Sequence, residues 1–211
     1  MEICAIIQVS TYLKCRFKMA RISNRSKILL EGIKILRQHG YMGASVRDIS
    51  KAANVPLGSF TNHFASKEAF TLEVLNAYFA KNLEVVHATL LNESLQPLKR
   101  IEAYLDETDK NLNCSNEWYG CLIANLSVEA SQHSEILRKR LMEISRENEH
   151  AVSTALEAAV KNGDLPASTD CHMLAGFIIF AQHGAYLQSR VDKNSTAIDR
   201  LKKIVSSYLL R

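Results

Sequence analysis

The chain has 211 residues, of which 47% are hydrophobic, so it can bury a sizeable core in one or two domains. Only three prolines and eight glycines favour long helices and argue against a β fold with many turns. The net charge of +4 is uneven: residues 21–67 carry +6, residues 1–20 carry +2 and residues 68–211 carry −4. Positive charge concentrated in one segment suits a phosphate backbone, although an ordinary solvated face would look the same.

Residues 1–20 lack the pattern of the chain that follows and are interpreted as an N-terminal extension. The apolar run 3–13 is too short and too polar to span a membrane, and no basic segment precedes it as in a signal peptide. Met19 lies just before the first predicted helix, so we expect that the native chain starts there or that this segment is loosely attached. An arm that reaches DNA through Lys14, Arg16 and Lys18 is the alternative.

The first helix is predicted from Ser23 or Ser26 to His39, with Gly40 ending it. Its apolar side chains recur at helical spacing and predict one buried stripe. They are Ile28, Leu29, Ile33 and Leu36.

Residues 45–67 predict two short helices joined by a tight turn. Ser45 is placed to cap the first of them, and its apolar face consists of Val46, Ile49 and Ala53. The turn is Asn54-Val55-Pro56-Leu57, in which asparagine tolerates a left-handed backbone and proline suits the first turn of a helix. The second helix covers about residues 57–64. Such a pair forms a helix-turn-helix, whose second helix can enter the major groove of DNA.

The same stretch resembles the TetR family of bacterial transcriptional repressors. The matching residues are Gly40-Tyr41, Ser45-Val46-Arg47-Asp48-Ile49, Val55-Pro56, Gly58-Ser59-Phe60, His63-Phe64 and Ser66-Lys67-Glu68. Two positions depart from the family pattern: Thr61 replaces a tyrosine that usually touches a phosphate, and Asn54 replaces a glycine. The resemblance implies an operator-binding domain, in which the first helix braces the helix-turn-helix and does not read bases.

The predicted DNA contacts lie on and beside this second helix. Asn62 is able to bond bidentately to an adenine, and Lys67 suits a phosphate at the start of the next helix. Phe60 and Phe64 are expected to hold the helix in its core. The complete predicted set is Ser45, Arg47, Ser59, Thr61, Asn62, His63 and Lys67, with plain surface as the alternative for each.

The remaining chain predicts further helices and no strands, for an all-α fold of about nine helices. One long helix is expected to start at Ser66 and another to run from Ser134 to Asn162. Further helices are expected over residues 97–112, 169–191 and 198–209. The apolar run 118–126 is expected to form a buried helix. Three parts are predicted: an extension over 1–20, a three-helix DNA-binding domain over 21–67, and a ligand-sensing and dimerisation domain over 68–211. By resemblance, the last two helices form a four-helix homodimer interface, so a near-palindromic operator is expected; a role in the core alone is the alternative.

The run Gly120-Cys121-Leu122 resembles the regulatory domain of a TetR subgroup typified by the repressor of N-ethylmaleimide reductase. That resemblance implies that Cys121 senses an electrophile or oxidant, with Cys114 as a weaker candidate or partner. A sensor cysteine needs thiolate character and access, whereas free cysteines are often inert core residues, and both readings stay open. If Cys121 is inert, a small apolar ligand is the alternative signal. Its predicted pocket is lined by some of Trp118, Tyr119, Leu122, Phe177 and Phe180.

Catalytic and metal-binding functions have little support in the sequence. The five cysteines are an odd number without CxxC spacing, so no zinc site or disulfide framework is predicted, and a cytoplasmic location fits best. No phosphate-binding glycine loop or His/Glu metal motif is present, and no cofactor is expected. Cys171 and His172 are adjacent on a helix, so their side chains diverge. A cysteine-based enzyme remains a formal alternative, and a helical adaptor that has lost DNA binding is another.

Overall fold

The computed structural model describes residues 23–113 and 118–210, and within these ranges the chain is all-α, as predicted. The helices are α1 (Asn24–Gly43), α2 (Val46–Ala52), α3 (Leu57–His63), α4 (Lys67–Ala88), α5 (Pro97–Asn113), α6 (Leu122–His133), α7 (Glu135–Asn162), α8 (Cys171–Asp192) and α9 (Thr196–Ile204), followed by a π-helical turn (Val205–Leu209). The predicted extension over residues 1–20 and Cys114 lie outside the described residues.

The helices divide into two compact units. One contains the described residues up to Lys81 together with Asn125–Leu141, and the other contains Asn82–Ala124 and Met142–Arg211. Helices α4, α6 and α7 each contribute residues to both units.

Helix α1 begins where the sequence predicts, and the regular helix is interrupted at Gly40 as predicted, although residues 41–43 are again helical. The Ser23 hydroxyl accepts a hydrogen bond from the Ser26 N–H at 3.1 Å and caps the first turn. At the other end, Gly40 has φ 71° and ψ −175°, which breaks the regular helix before its last three residues. Glycine is required here because a side chain is strongly disfavoured in this backbone conformation. Ile28 and Leu36 are fully buried, as the predicted stripe requires.

The predicted turn of the helix-turn-helix is confirmed. The Ser45 hydroxyl accepts from the Asp48 N–H at 3.1 Å at the start of α2. Asn54 adopts φ 52°, the left-handed conformation that the sequence suggested for it. Pro56, with φ −59°, then directs the chain into α3. The departure of Asn54 from the family glycine therefore leaves this turn intact, because asparagine tolerates that backbone.

An aromatic cluster, defined as Phe60, Phe64 and Phe70, fastens α3 to α4. The ring centroids lie 5.0 Å apart for Phe60–Phe70 and for Phe64–Phe70, and 5.2 Å apart for Phe60–Phe64. All three side chains are buried. Gly32 of α1 lies directly against the Phe70 ring, where a Cβ would overlap it. Phe60 of α3 and Phe64, which directly follows it, thus belong to the core, as predicted.

The second unit has a buried polar triad among its apolar side chains. The Gln182 amide donates to the Thr108 hydroxyl and to the Tyr186 hydroxyl, both at 3.0 Å. Thr108 in turn donates to the Tyr104 carbonyl at 2.7 Å. These bonds satisfy polar groups that would be costly to bury alone, and they fix the register of α5 against α8.

The other predicted helix ends are also found. The Ser134 hydroxyl accepts from the Leu137 N–H at 3.1 Å at the start of α7, and Gly163, with φ 81°, follows the end of that helix. The Asp170 carboxylate caps α8 by accepting from the Met173 N–H at 2.9 Å.

Two helix predictions were wrong in extent. Residues 118–121 are not helical, and α6 begins only at Leu122, because Gly120 takes a positive φ of 71° that interrupts a helix. The last predicted helix does not run to Leu209 as a regular α-helix. It ends at Ile204 and continues as a π-helical turn.

No helix in the described part of the chain is both long and apolar enough to cross a membrane.

Replacing Gly40 by alanine is expected to lower the free energy of unfolding by about 1–3 kcal/mol, because only glycine takes this backbone conformation without strain. Gly58→Ala is the matched control in the same unit, since a Cβ there meets no atom within 4 Å. The control should be neutral or stabilising by up to about 1 kcal/mol. Urea unfolding of both variants checks the prediction, and equal stabilities would contradict it.

Candidate nucleic-acid interface

Helix α3 has one buried and one exposed face. Phe60 is buried beneath it, whereas Thr61, Asn62 and His63 are exposed and Ser59 is half-buried. This division follows from the helical period, which turns the polar residues away from the aromatic cluster. Helix α3 therefore exposes polar side chains to solvent, while the aromatic cluster packs against its opposite face.

Three of these polar groups have neighbours within their own unit. The Ser59 hydroxyl accepts from the Asn24 amide at 3.2 Å, which ties α3 to the start of α1. The Thr61 hydroxyl donates to the Gly58 carbonyl at 3.1 Å, so it keeps lone pairs but must rotate to donate to a phosphate. The His63 ring lies edge-on to Phe64, with centroids 6.3 Å apart.

The start of α2 places Ser45 and Arg47 at the edge of the same motif. Arg47 is exposed and available to a phosphate. Ser45 acts as the helix cap and also donates to the Asp48 carboxylate, so its hydroxyl is already engaged. A DNA contact by Ser45 would have to share this cap.

Lys67 occupies a more enclosed place than the sequence suggested. Its Nζ lies 4.7 Å from the centroid of the Tyr41 ring, a distance at which the cation is attracted to the ring face. Burial lowers the pKa of the Lys67 ammonium, and the negative charge of Glu129 opposes that shift. Sequence reasoning missed Tyr41 and Glu129 as neighbours of this lysine. The Gly40-Tyr41 pair was a signal for the first, but nothing in the sequence pointed to the second, which is 62 positions along the chain.

The predicted sensor residues are placed in different environments. Cys121 is only 7% exposed and directly precedes α6, with Leu122 fully buried beside it. Trp118 and Tyr119 are half-buried in the non-helical segment before it. Phe177 and Phe180 are 52% and 62% exposed, so they do not enclose a pocket with Leu122 in this chain. Their place in a ligand pocket was predicted from the apolar pattern, which cannot tell an inner helix face from an outer one.

A buried tyrosine that sequence reasoning missed lies near Cys121. Burial raises the pKa of the Tyr104 phenol, a hydrogen bond with Asn82 opposes the rise, and negative charge at Cys121 would add to it. The Asn82 amide donates to the Asn148 carbonyl oxygen at 2.9 Å. Tyr104 lies among the apolar residues of a helix, and its hydroxyl was the only feature of the sequence that distinguished it from them.

Helix α8 instead carries an exposed apolar face that includes Phe177 and Phe180. Met173, four residues before Phe177, is 70% exposed. The spacing of these side chains places them on one side of the helix, and such a contiguous apolar surface is typical of a protein interface. Among the described residues, no cluster of three His, Cys, Asp or Glu side chains is arranged to hold a metal ion.

Helix α3 packs on buried aromatic residues, follows a capped helix and a left-handed turn, and is flanked by basic side chains. This arrangement defines a helix-turn-helix DNA-binding protein. Residues 28–74 match the family described as bacterial regulatory proteins of the tetR family. Residues 97–205 match the tetracyclin repressor-like C-terminal domain. The chain belongs to the TetR family and is a DNA-binding transcriptional regulator.

Characterised relatives agree with this assignment along most of their length. The HTH-type transcriptional repressor DhaR of Mycobacterium sp. (strain GP1) is 32% identical over 91% of this chain and 95% of its own. The HTH-type transcriptional repressor NemR of Escherichia coli (strain K12) is 27% identical over 87% of this chain and 94% of its own.

Solved structures show the same fold. A regulatory protein TetR from Rhodobacter sphaeroides superposes with a TM-score of 0.82 over 86% of this chain and 96% of its own, at 24% identity. The reduced form of E. coli NemR superposes with a TM-score of 0.76 over 86% of this chain and 94% of its own, at 28% identity.

Removing the cap of α2 should destabilise the motif. Ser45→Ala leaves the Asp48 N–H without its acceptor and is expected to cost about 0.5–2 kcal/mol of unfolding free energy. Ser45→Asn supplies another capping oxygen and should recover most of that loss. Thermal unfolding measures both, and an alanine variant as stable as the wild type would show that this cap contributes nothing.

Proposed function

We propose that this protein is a repressor that binds a near-palindromic operator as a homodimer and is released by a small-molecule or electrophile signal. The observation that carries the proposal is the exposed polar face of α3 above the buried aromatic cluster. A rigid helix of this kind can present Asn62 to base edges, while Arg47 and Lys67 supply charge for phosphates. The proposed DNA-contacting set is the one predicted above, and the proposed DNA-binding domain is residues 21–67.

The exposed apolar face of α8 supports the homodimer. Met173, Phe177 and Phe180 are large side chains that a monomer would leave in water, and a two-fold axis would bury them against their copies. Two recognition helices in one dimer would meet half-sites about one DNA turn apart, or a multiple of it. We therefore assign residues 68–211 to signal sensing and dimerisation.

Cys121 is our candidate for the signal. A neighbouring structure at 28% identity is described as the reduced form of E. coli NemR, which supports a redox-sensitive signal. In this chain Cys121 directly precedes α6, so a group added to its sulfur would press on the first turn of that helix. Its low exposure admits only small reagents without local opening. An inert Cys121 would leave a reversible apolar ligand as the signal.

The remaining parts of the proposal are a cytoplasmic location and the absence of catalytic activity. Both rest on the family, whose members are regulators of transcription.

The alternative of an adaptor without DNA binding rested on Thr61 and Asn54. Asn54 no longer supports it, because the turn forms with asparagine in the left-handed conformation.

Substitutions on and beside α3 should separate base reading from charge. Lys67→Ala is expected to weaken binding to operator and random DNA alike and to reduce the slope of log K against log salt by up to about 0.9. Asn62→Ala should reduce discrimination between operator and random DNA by about 1–3 kcal/mol with the salt slope unchanged. Fluorescence anisotropy at several salt concentrations measures both, and equal effects of the two variants on both DNAs would refute the division.

Alkylation with excess N-ethylmaleimide tests the sensor. Anisotropy on the upstream DNA of the protein's own gene should show binding that falls about 5- to 150-fold after alkylation, the usual range of allosteric coupling. Cys121→Ser should bind DNA and ignore the reagent. Cys171→Ser is the control, because Cys171 is the more accessible of the two described free thiols and its loss should leave the response unchanged. A response that persists in Cys121→Ser would exclude this cysteine.

A further inference from the structure

The turn that ends α1 is held by a carboxylate from α6. The Met42 N–H donates to Glu129 Oε2 at 3.3 Å, and the same carboxylate lies where a Cβ of Gly40 would be. The Glu129 carboxylate therefore packs against Gly40 and accepts from Met42, the residues on either side of Tyr41. These residues and Glu129 all belong to one compact unit.

The ammonium of Lys67 meets the middle residue of the same turn. It lies 4.7 Å from the Tyr41 ring centroid, and Glu129 contributes an attractive charge to it. The Lys67 cation thus lies on the ring of Tyr41, while the Glu129 carboxylate contacts the residues on either side of Tyr41, so the two opposite charges lie at one turn. A DNA phosphate would offer it a stronger partner.

Helix α6 is fastened at two further points of this unit. The Asn125 amide donates to the Arg37 carbonyl at 3.3 Å, and Asn125 and Glu129 are four residues apart, on one face of α6. The Ser134 hydroxyl donates to Glu68 Oε1 at 2.5 Å just beyond the end of α6. These bonds fix the position of Glu129 at the turn that ends α1.

We propose that Glu129 is a positioning residue that competes with the DNA backbone for Lys67 and so sets how tightly the helix-turn-helix binds. The proposal rests on the DNA-binding function proposed above and deepens it. In the free protein, Lys67 lies on the Tyr41 ring, and the negative charge of Glu129 at the same turn attracts it. On DNA it leaves the ring for a phosphate, and the attraction of Glu129 opposes that move.

The variant that tests this is Glu129→Gln. It removes the negative charge but keeps an oxygen that can accept from the Met42 N–H. Operator affinity is expected to rise roughly two- to fivefold, the effect of removing one screened attraction between opposite charges near the surface. The slope of log K against log salt should become more negative, by up to about 0.9, because Lys67 then releases a full counterion. A merely structural role for Glu129 would lower affinity and leave that slope unchanged.

Two comparisons isolate the effect. Glu31→Gln changes the net charge equally on the exposed side of α1, where Glu31 pairs with Lys34 at 2.7 Å, and should leave affinity and slope near the wild-type values. In a Lys67→Gln background, Glu129→Gln should no longer raise affinity. A gain that persists without Lys67, or a Glu129→Gln variant that matches Glu31→Gln, would overturn the proposal.

A measurement on the wild-type protein does not depend on any variant folding. The ¹³Cε and ¹Hε signals of Lys67 should be shifted by the Tyr41 ring current in the free protein and should move toward ordinary lysine values on saturation with operator. A ring-current shift that stays unchanged in the complex would overturn the exchange. Wild-type protein that binds no DNA would instead contradict the proposed function, whereas wild-type binding without an effect of Glu129→Gln contradicts this inference alone.

Discussion

The contact on which the DNA-binding part depends is the packing of Phe60, Phe64 and Phe70. Helix α3 has only seven residues, too few to be stable in water by itself, so its conformation must come from tertiary packing. The three rings supply that packing at centroid distances of 5.0–5.2 Å. Because Gly32 of α1 leaves space for the Phe70 ring, α1, α3 and α4 meet at one point. The position of the polar face of α3 is therefore set by the aromatic cluster that packs against its buried face.

A second constraint acts at the end of α1, where Gly40 adopts a backbone conformation suited to glycine and the Glu129 carboxylate fills the space beside it. This arrangement makes α6 part of the same compact unit as the helix-turn-helix. The hydrogen bond between the Met42 N–H and the Glu129 carboxylate joins α6 to the end of α1 within that unit.

Local features of this chain were predictable because they depend on neighbours in sequence. The caps at Ser23, Ser45 and Ser134, the left-handed Asn54 and the helix stops at Gly40 and Gly163 follow from the conformational preferences of single residues. The helical period likewise separated the buried Phe60 and Phe64 from the exposed Asn62 and His63. The prediction was wrong for residues 118–121, where the apolar pattern suggested a helix but Gly120 interrupts it.

The sequence by itself determined the all-α fold and the helix-turn-helix, together with the family that its motif resembles. Only the tertiary structure decided which apolar side chains are enclosed. It placed Phe177 and Phe180 on an outer face, although their residue type and spacing also suit a core. It also brought Glu129 to Gly40 and Met42, and Lys67 to the ring of Tyr41. These neighbours are far apart along the chain, and no local preference encodes a contact that forms only when separate helices pack.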